Sequence, residues 1–234
     1  MTDPQVITAP IADYDVDPFL GKLSSIRLVE AIKEYCKHTH KTAIYPGAGT
    51  PEGKKYTALE LGEVGEVANI LKKALRDTNG VLSEQKLRDV KAELGGLMYG
   101  WSEAIRCDTL PEEVSQETGF EDYLGYLLEA GFLTRIDDET GITSAEDYYN
   151  HFVDNDMYEV TAYLLGTIPF CNRDPLESGD AAVATARDRI LSVVLIHRIC
   201  EELGLDIIEA MEYNTAALQS RLERNTLSGD GDHR

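Results

Sequence analysis

The chain has 234 residues, enough to bury roughly 70% of the surface an unfolded chain exposes, so no disulfide or structural metal is needed to staple it. With 42 acidic against 22 basic side chains and a formal net charge of −20, it repels nucleic acid and anionic membrane surfaces, and a small anionic substrate is compatible only if cations accompany it. No run approaches the ~18 apolar residues of a membrane span, and the acidic, proline-broken N-terminus MTDPQVITAPIADYDVDPF lacks the basic flank and apolar run of a secretory signal. Cys36, Cys107, Cys171 and Cys200 stand far apart without a CxxC pair, which predicts free thiols and a cytoplasmic location.

Residues 1–20, with Pro4, Pro10, Pro18 and four acidic residues, read as an extended arm. A helix is expected over about 23–40, with Ile26, Val29, Ile32 and Cys36 as its apolar stripe and His38 and His40 as partners of its C-terminal dipole. The stretch TAIYPGAGTPEGKK (42–55) holds three glycines and two prolines and reads as a loop beside the helices that carry chemistry.

Two amphipathic helices follow, from Tyr56 to Asp77 and from Leu82 to Trp101, broken at Thr78-Asn79-Gly80. Leu59, Val67, Ile70, Leu71 and Ala74 mark the apolar face of the first, and Leu87, Val90, Leu94, Leu97 and Met98 that of the second. Glu63 and Glu66 lie i,i+3 and Asp89 and Glu93 lie i,i+4, so each helix stacks two carboxylates about one turn apart. A solvated face is the plain reading of such pairs; a hard cation such as Mg²⁺, ligated by carboxylates, phosphates and water, is the chemical one. Asn69, Lys72 and Lys73 follow within two turns and suit phosphate oxygens.

Further helices are expected to start near Thr109 and Ser144, to cover 120–133, and to run over 157–168 up to Pro169, then 184–203 and 207–224. The helix over 184–203 is strongly apolar (Ile190, Leu191, Val193, Val194, Leu195, Ile196, Ile199) and should be the most buried, with His197 a core histidine. Asp206 should cap the last helix, whose stripe is Ile208, Met211 and Leu218. No alternating strand pattern survives, so the fold class is all-α.

Taken together, TAIYP (42–46), Tyr56, GEVGEVANILKKALRD (62–77), AELGG (92–96) and the closing NTAALQSRLERNTLSGDGDHR (214–234) resemble the MazG-like branch of the all-α nucleoside triphosphate pyrophosphohydrolases. The resemblance covers about 41–105 and 188–234. It implies a MazG-like helical bundle over 21–224, with residues of about 106–187 either inserted or a degenerate second copy of the helical hairpin, and a Gly/Asp-rich tail over 225–234. It also implies Mg²⁺-dependent cleavage of a nucleoside triphosphate to monophosphate and pyrophosphate, with Mn²⁺ as an alternative metal, in a homodimer or higher homo-oligomer.

Carried over residue by residue, Glu63, Glu66 and Glu93 would hold metal, Lys72 or Lys73 would stabilise developing charge, and Tyr45, Lys54, Asn69 and Arg234 would contact substrate. The fourth metal position, an aspartate in the family, is Gly96 here. Asp188, which opens a segment resembling the family's helix beyond that aspartate, is the expected replacement, with Asp89 the second choice. A nucleotide-binding regulatory oligomer weakened in catalysis is the alternative function, and the preferred base is not written in these residues.

Overall fold

The computed structural model describes residues 26–108, 150–152, 154–171 and 179–227; the expected N-terminal arm, the helices over 109–149 and the tail beyond 227, including Arg234, lie outside them. Among the described residues all regular structure is helical: α1 (Ile26–Thr42), a 3₁₀ turn (Pro51–Gly53), α2 (Lys54–Glu60), α3 (Glu63–Thr78), α4 (Glu84–Arg106), α5 (Met157–Cys171), α6 (Gly179–Glu202) and α7 (Ile207–Glu223). No helix among them is long and apolar enough to cross a membrane.

Helix α4 is the hub, packed against α1, α2, α3, α6 and α7, while α5 lies on α6 and α3. Ser83 caps its start, its side chain accepting from the Lys86 amide at 3.3 Å. Val90, Leu94, Leu97, Met98 and Trp101 are buried along it. They face Leu28, Ile32, Tyr35 and Cys36 of α1, Val64, Val67 and Leu71 of α3, and Val193 to Ile196 with Ile199 of α6 in one core. The Trp101 indole donates to the Arg189 carbonyl at 3.1 Å, tying α4 to α6. His197 on α6 is largely buried, with Nδ1 3.6 Å from Glu201.

The expected helix from Tyr56 to Asp77 is two helices. Leu61 and Gly62 form a turn in which Gly62 donates to Leu59 and Gly65 to Gly62, i→i+3 bonds that tighten the chain. The break changes the outward face, and so Leu59, assigned to the apolar stripe, is 81% exposed while Leu61 and Val64 are buried. The second half ends as its sequence predicts: Asn79 and Gly80 adopt positive φ and the Gly80 amide closes back onto the Ala74 carbonyl.

Two other boundaries move. The loop expected over 42–55 turns helical at Lys54 after the 3₁₀ turn. Pro169 does not stop α5, which runs on to Cys171. Asp156 caps α5 and Asp206 caps α7, each side chain accepting from backbone amides of the first turn.

Glycine lets α4 approach its neighbours closely. A Cβ on Gly95 would lie 2.6 Å from the Ala210 carbonyl oxygen and 2.8 Å from Asn214 Cβ of α7, and one on Gly100 would lie 3.1 Å from the Leu61 amide nitrogen. Tyr35 of α1 donates to the Gly95 carbonyl at 2.9 Å and stands 2.8 Å from the Asn214 amide oxygen, closing the same crossing. Gly65 has nothing within 4 Å of such a Cβ. Gly95→Ala should therefore destabilise the protein by ~1–3 kcal/mol through overpacking, whereas Gly65→Ala should stabilise it by ~0.5–1 kcal/mol through helix propensity. Urea unfolding of the two variants beside the parent checks both signs.

Candidate functional site

One face of α4 carries Asp89, Glu93, Gly96 and Tyr99, spaced i, i+4, i+7 and i+10. That is one stripe of a helix. It forms a wall of a cavity of about 900 Å³, whose other walls are Tyr45 and Pro46 after α1, Tyr56, Glu60 and Glu63 around the α2–α3 turn, and Asn214, Leu218 and Arg221 of α7 with Arg224 beyond it. The volume is within the range of small-molecule sites.

Glu93 is buried, and Glu60, Glu63 and Asp89 are half-buried. Burial raises the Glu60 carboxyl above its usual range; a hydrogen bond from Tyr56 and the positive charge of Arg221 oppose that rise. Asp89 is held on its own helix, accepting from Gln85 at 2.8 Å and Lys86 at 2.9 Å. A Cβ on Gly96 would sit 3.4 Å from Glu63 Cγ, so this position faces the start of α3. Glu63 and Glu66 both fall in the first turn of α3, where the helix dipole favours carboxylates.

The sequence-derived candidates divide. Glu63, Glu93 and Tyr45 line the cavity. Glu66, Lys72 and Lys73 are exposed and, like Asn69, are not part of its walls. Lys54 reaches instead to Asp108, at 3.2 Å. Asp188, the favoured fourth ligand, is buried on α6 and is not part of the cavity wall; the carboxylates that accompany Glu63 and Glu93 there are Glu60 and Asp89. Glu60, Arg88, Arg221, Arg224, Tyr56 and Tyr99 were not singled out as site residues; the α7 signal was available in Asn214, Leu218 and Arg221, which share a face at i, i+4 and i+7.

Beneath the aromatic wall lie two carboxylates with no exposed side-chain surface. Glu103 Oε2 accepts from the Tyr45 hydroxyl at 2.8 Å and pairs with Arg106 at 2.6 Å; its Oε1 stands 3.0 Å from the Thr39 hydroxyl and 3.9 Å from His40 Nε2. His40 thus faces this buried group rather than merely complementing the end of α1. Asp108 takes both terminal nitrogens of the buried Arg189, one at 2.7 Å, together with Lys54.

The molecule so described is an all-α protein whose acidic and basic side chains share one cavity. No family model and no solved structure matches it. A segment of 62 residues is 50% identical to the Gene 37 protein of Mycobacterium phage L5; the match takes in 25% of this chain and 54% of that protein, so the chain spans about half the length of the curated relative it matches.

Removing Asp108 strands the guanidinium of Arg189 in the core, so Asp108→Ala should cost ~3–5 kcal/mol; Lys54→Met, which leaves the Arg189 pair intact, should cost much less, and chemical denaturation distinguishes them. Burial, with the nearby Arg106 charge, lowers the His40 pKa to about 4. The unfolded chain, with a histidine near ~6.5, then binds the proton first, and stability present above that value is lost as pH falls toward 4. His40→Gln should flatten the stability profile in this window by at most ~1.4 kcal/mol per pH unit, measured as unfolding free energy against pH.

Proposed function

We propose that the chain is a Mg²⁺-dependent nucleoside triphosphate pyrophosphohydrolase, cleaving between the α- and β-phosphates to give a nucleoside monophosphate and pyrophosphate. The observation that carries this reading is the cavity itself: carboxylates from α3 and α4 and arginines from the end of α7 line one space large enough for a nucleotide. Such a mixture suits a polyanion that arrives with divalent metal. The resemblance of GEVGEVANILKK, AELGG and the closing helix to the MazG-like enzymes supports it.

The donors fit a hard cation in kind, since Glu63, Glu93 and Asp89 offer only oxygen and Mg²⁺ completes its octahedron with water and phosphate. Among the described residues no three of them are drawn into a compact metal-holding group. Glu63 and Glu93 would hold the metal, with Asp89 as the further carboxylate. Mg²⁺ supplies charge neutralisation for the phosphates and acidifies a water for attack. Arg221 and Arg224 bind the polyphosphate and stabilise the charge that grows on the departing pyrophosphate, the task given at first to Lys72 or Lys73. Glu60, whose carboxyl is raised by burial, lines the same cavity beside Glu63. The buried free thiols Cys36, Cys107 and Cys200 accord with a cytoplasmic enzyme.

Gly96 and the absence of a compact three-carboxylate group among the described residues favour a second reading, a nucleotide-binding regulatory protein without turnover. Pyrophosphate release from the ribo- and deoxyribonucleoside triphosphates, with and without Mg²⁺, separates the two. Under the enzymatic reading Glu63→Gln and Glu93→Gln lower turnover on the order of 100-fold, and Gly96→Asp, which adds a carboxylate beside Glu63, lowers the Mg²⁺ concentration needed for half-maximal rate. Tight nucleotide binding by the parent with no pyrophosphate released establishes the regulatory reading instead.

A further inference from the structure

Tyr45 and Tyr56 lie face to face, ring centroids 4.1 Å apart and planes within 4° of parallel. Tyr45 is 8% exposed and Tyr56 38%, and both belong to the cavity wall. Each hydroxyl is already committed to a carboxylate: Tyr45 donates to Glu103 at 2.8 Å, and Tyr56 is hydrogen-bonded to Glu60. With the edges engaged and one face of Tyr56 covered by Tyr45, what this pair offers a ligand is the remaining ring face of Tyr56.

The orientation of that face is set from below. Glu103 has no exposed side-chain surface and is gripped by Arg106 at 2.6 Å, so the phenol it receives cannot swing without leaving a buried charge short of a partner. Tyr45 is thereby locked, and Tyr56 is stacked on a fixed ring. Tyr56 lies in the first turn of α2, and it shares the cavity wall with Glu60 at the end of that helix and Glu63 at the start of α3. A ligand with a flat aromatic end and a polyanionic end matches these two neighbouring chemistries.

We infer that the Tyr45–Tyr56 pair is a preorganised stacking platform for the base of the nucleotide, with Tyr56 the contact residue and Glu103 the residue that positions it. This rests on the nucleotide reading of the cavity and adds to it a base subsite. Stacking on a ring face reads no hydrogen-bond edge, so the platform tolerates purines and pyrimidines alike.

The test is calorimetric binding, in Mg²⁺, of the four α,β-methylene ribonucleoside triphosphates and of inorganic tripolyphosphate. Tyr56→Ala is expected to weaken all four nucleotide analogues about tenfold or more, with tripolyphosphate unchanged; Tyr56→Phe and Tyr56→Trp should retain parent affinity. Glu103→Gln should weaken the analogues while sparing tripolyphosphate, and Tyr45→Phe, which keeps the ring and releases its hydroxyl, should repeat that pattern if Glu103→Gln fails to fold. Equal loss for nucleotides and tripolyphosphate in Tyr56→Ala, or no loss for either, overturns the platform. A parent that binds tripolyphosphate as tightly as the nucleotides overturns it while leaving a polyphosphate site, and a parent that binds neither removes the nucleotide reading and this inference together.

Discussion

Two buried carboxylates five residues apart, Glu103 and Asp108 at the C-terminal end of α4, constrain much of what surrounds them. A carboxylate removed from water must be paired and hydrogen-bonded or become protonated. Here both are paired. The partners come from separate parts of the chain: Thr39 and Tyr45 from α1 and the loop after it, Lys54 from the first turn of α2, Arg189 from α6. Pairing the two acids therefore pins the loop of residues 43–53 along the last turns of α4. Contacts without charge follow the same register, with Gly49 beside the Arg106 guanidinium and Gly53 against Cys107. The loop that walls the cavity is held by its underside, and its Tyr45 ring backs the more exposed ring of Tyr56 in α2.

The other half of the arrangement is steric. Helix α4 carries glycine at 95, 96 and 100, and each meets a different neighbour: the backbone of α7, the side chain of Glu63, and the backbone at the α2–α3 turn. Glycine in a helix interior costs ~1 kcal/mol relative to alanine. Three within six residues are tolerated because the close crossings bury α4 against α7 and α2 and bring Asn214, Arg221 and Glu63 to the edge of one cavity. Stability given up in helix propensity is recovered in packing, and the by-product is a site assembled from three helices.

Parts of this were legible in order along the chain. The helical stripes of α1, α3, α4 and α7 were readable because burial repeats at three and four residues, and Asn79-Gly80 because few residues other than asparagine and glycine accept positive φ. Glu63 and Glu93, which line the cavity, were legible because acidic pairs at helical spacing stand out in such stripes. Leu59 was misassigned for a definite reason: it fits the period of the helix after it, and only the tight bonds at Leu61 and Gly62 put it on another face. Asp188 was preferred to Asp89 because a motif seemed to resume there; of the two, it is Asp89 that lines the cavity.

The sequence by itself determined the all-α class, most helix positions and the caps Asp206 and Asn79-Gly80, since all of these rest on interactions within a few residues. Only the tertiary structure decided which charges face each other. Arg221 and Arg224 join Glu60 and Glu63 across more than 150 positions, Tyr45 finds Glu103 at a separation of 58, and Asp108 finds Arg189 at 81. Periodicity shows which face of a helix is apolar but not which helix it meets. That choice depends on how closely backbones can approach, and here it turned on single missing Cβ atoms at Gly95 and Gly100, whose effect exists only when the partner helix is in place.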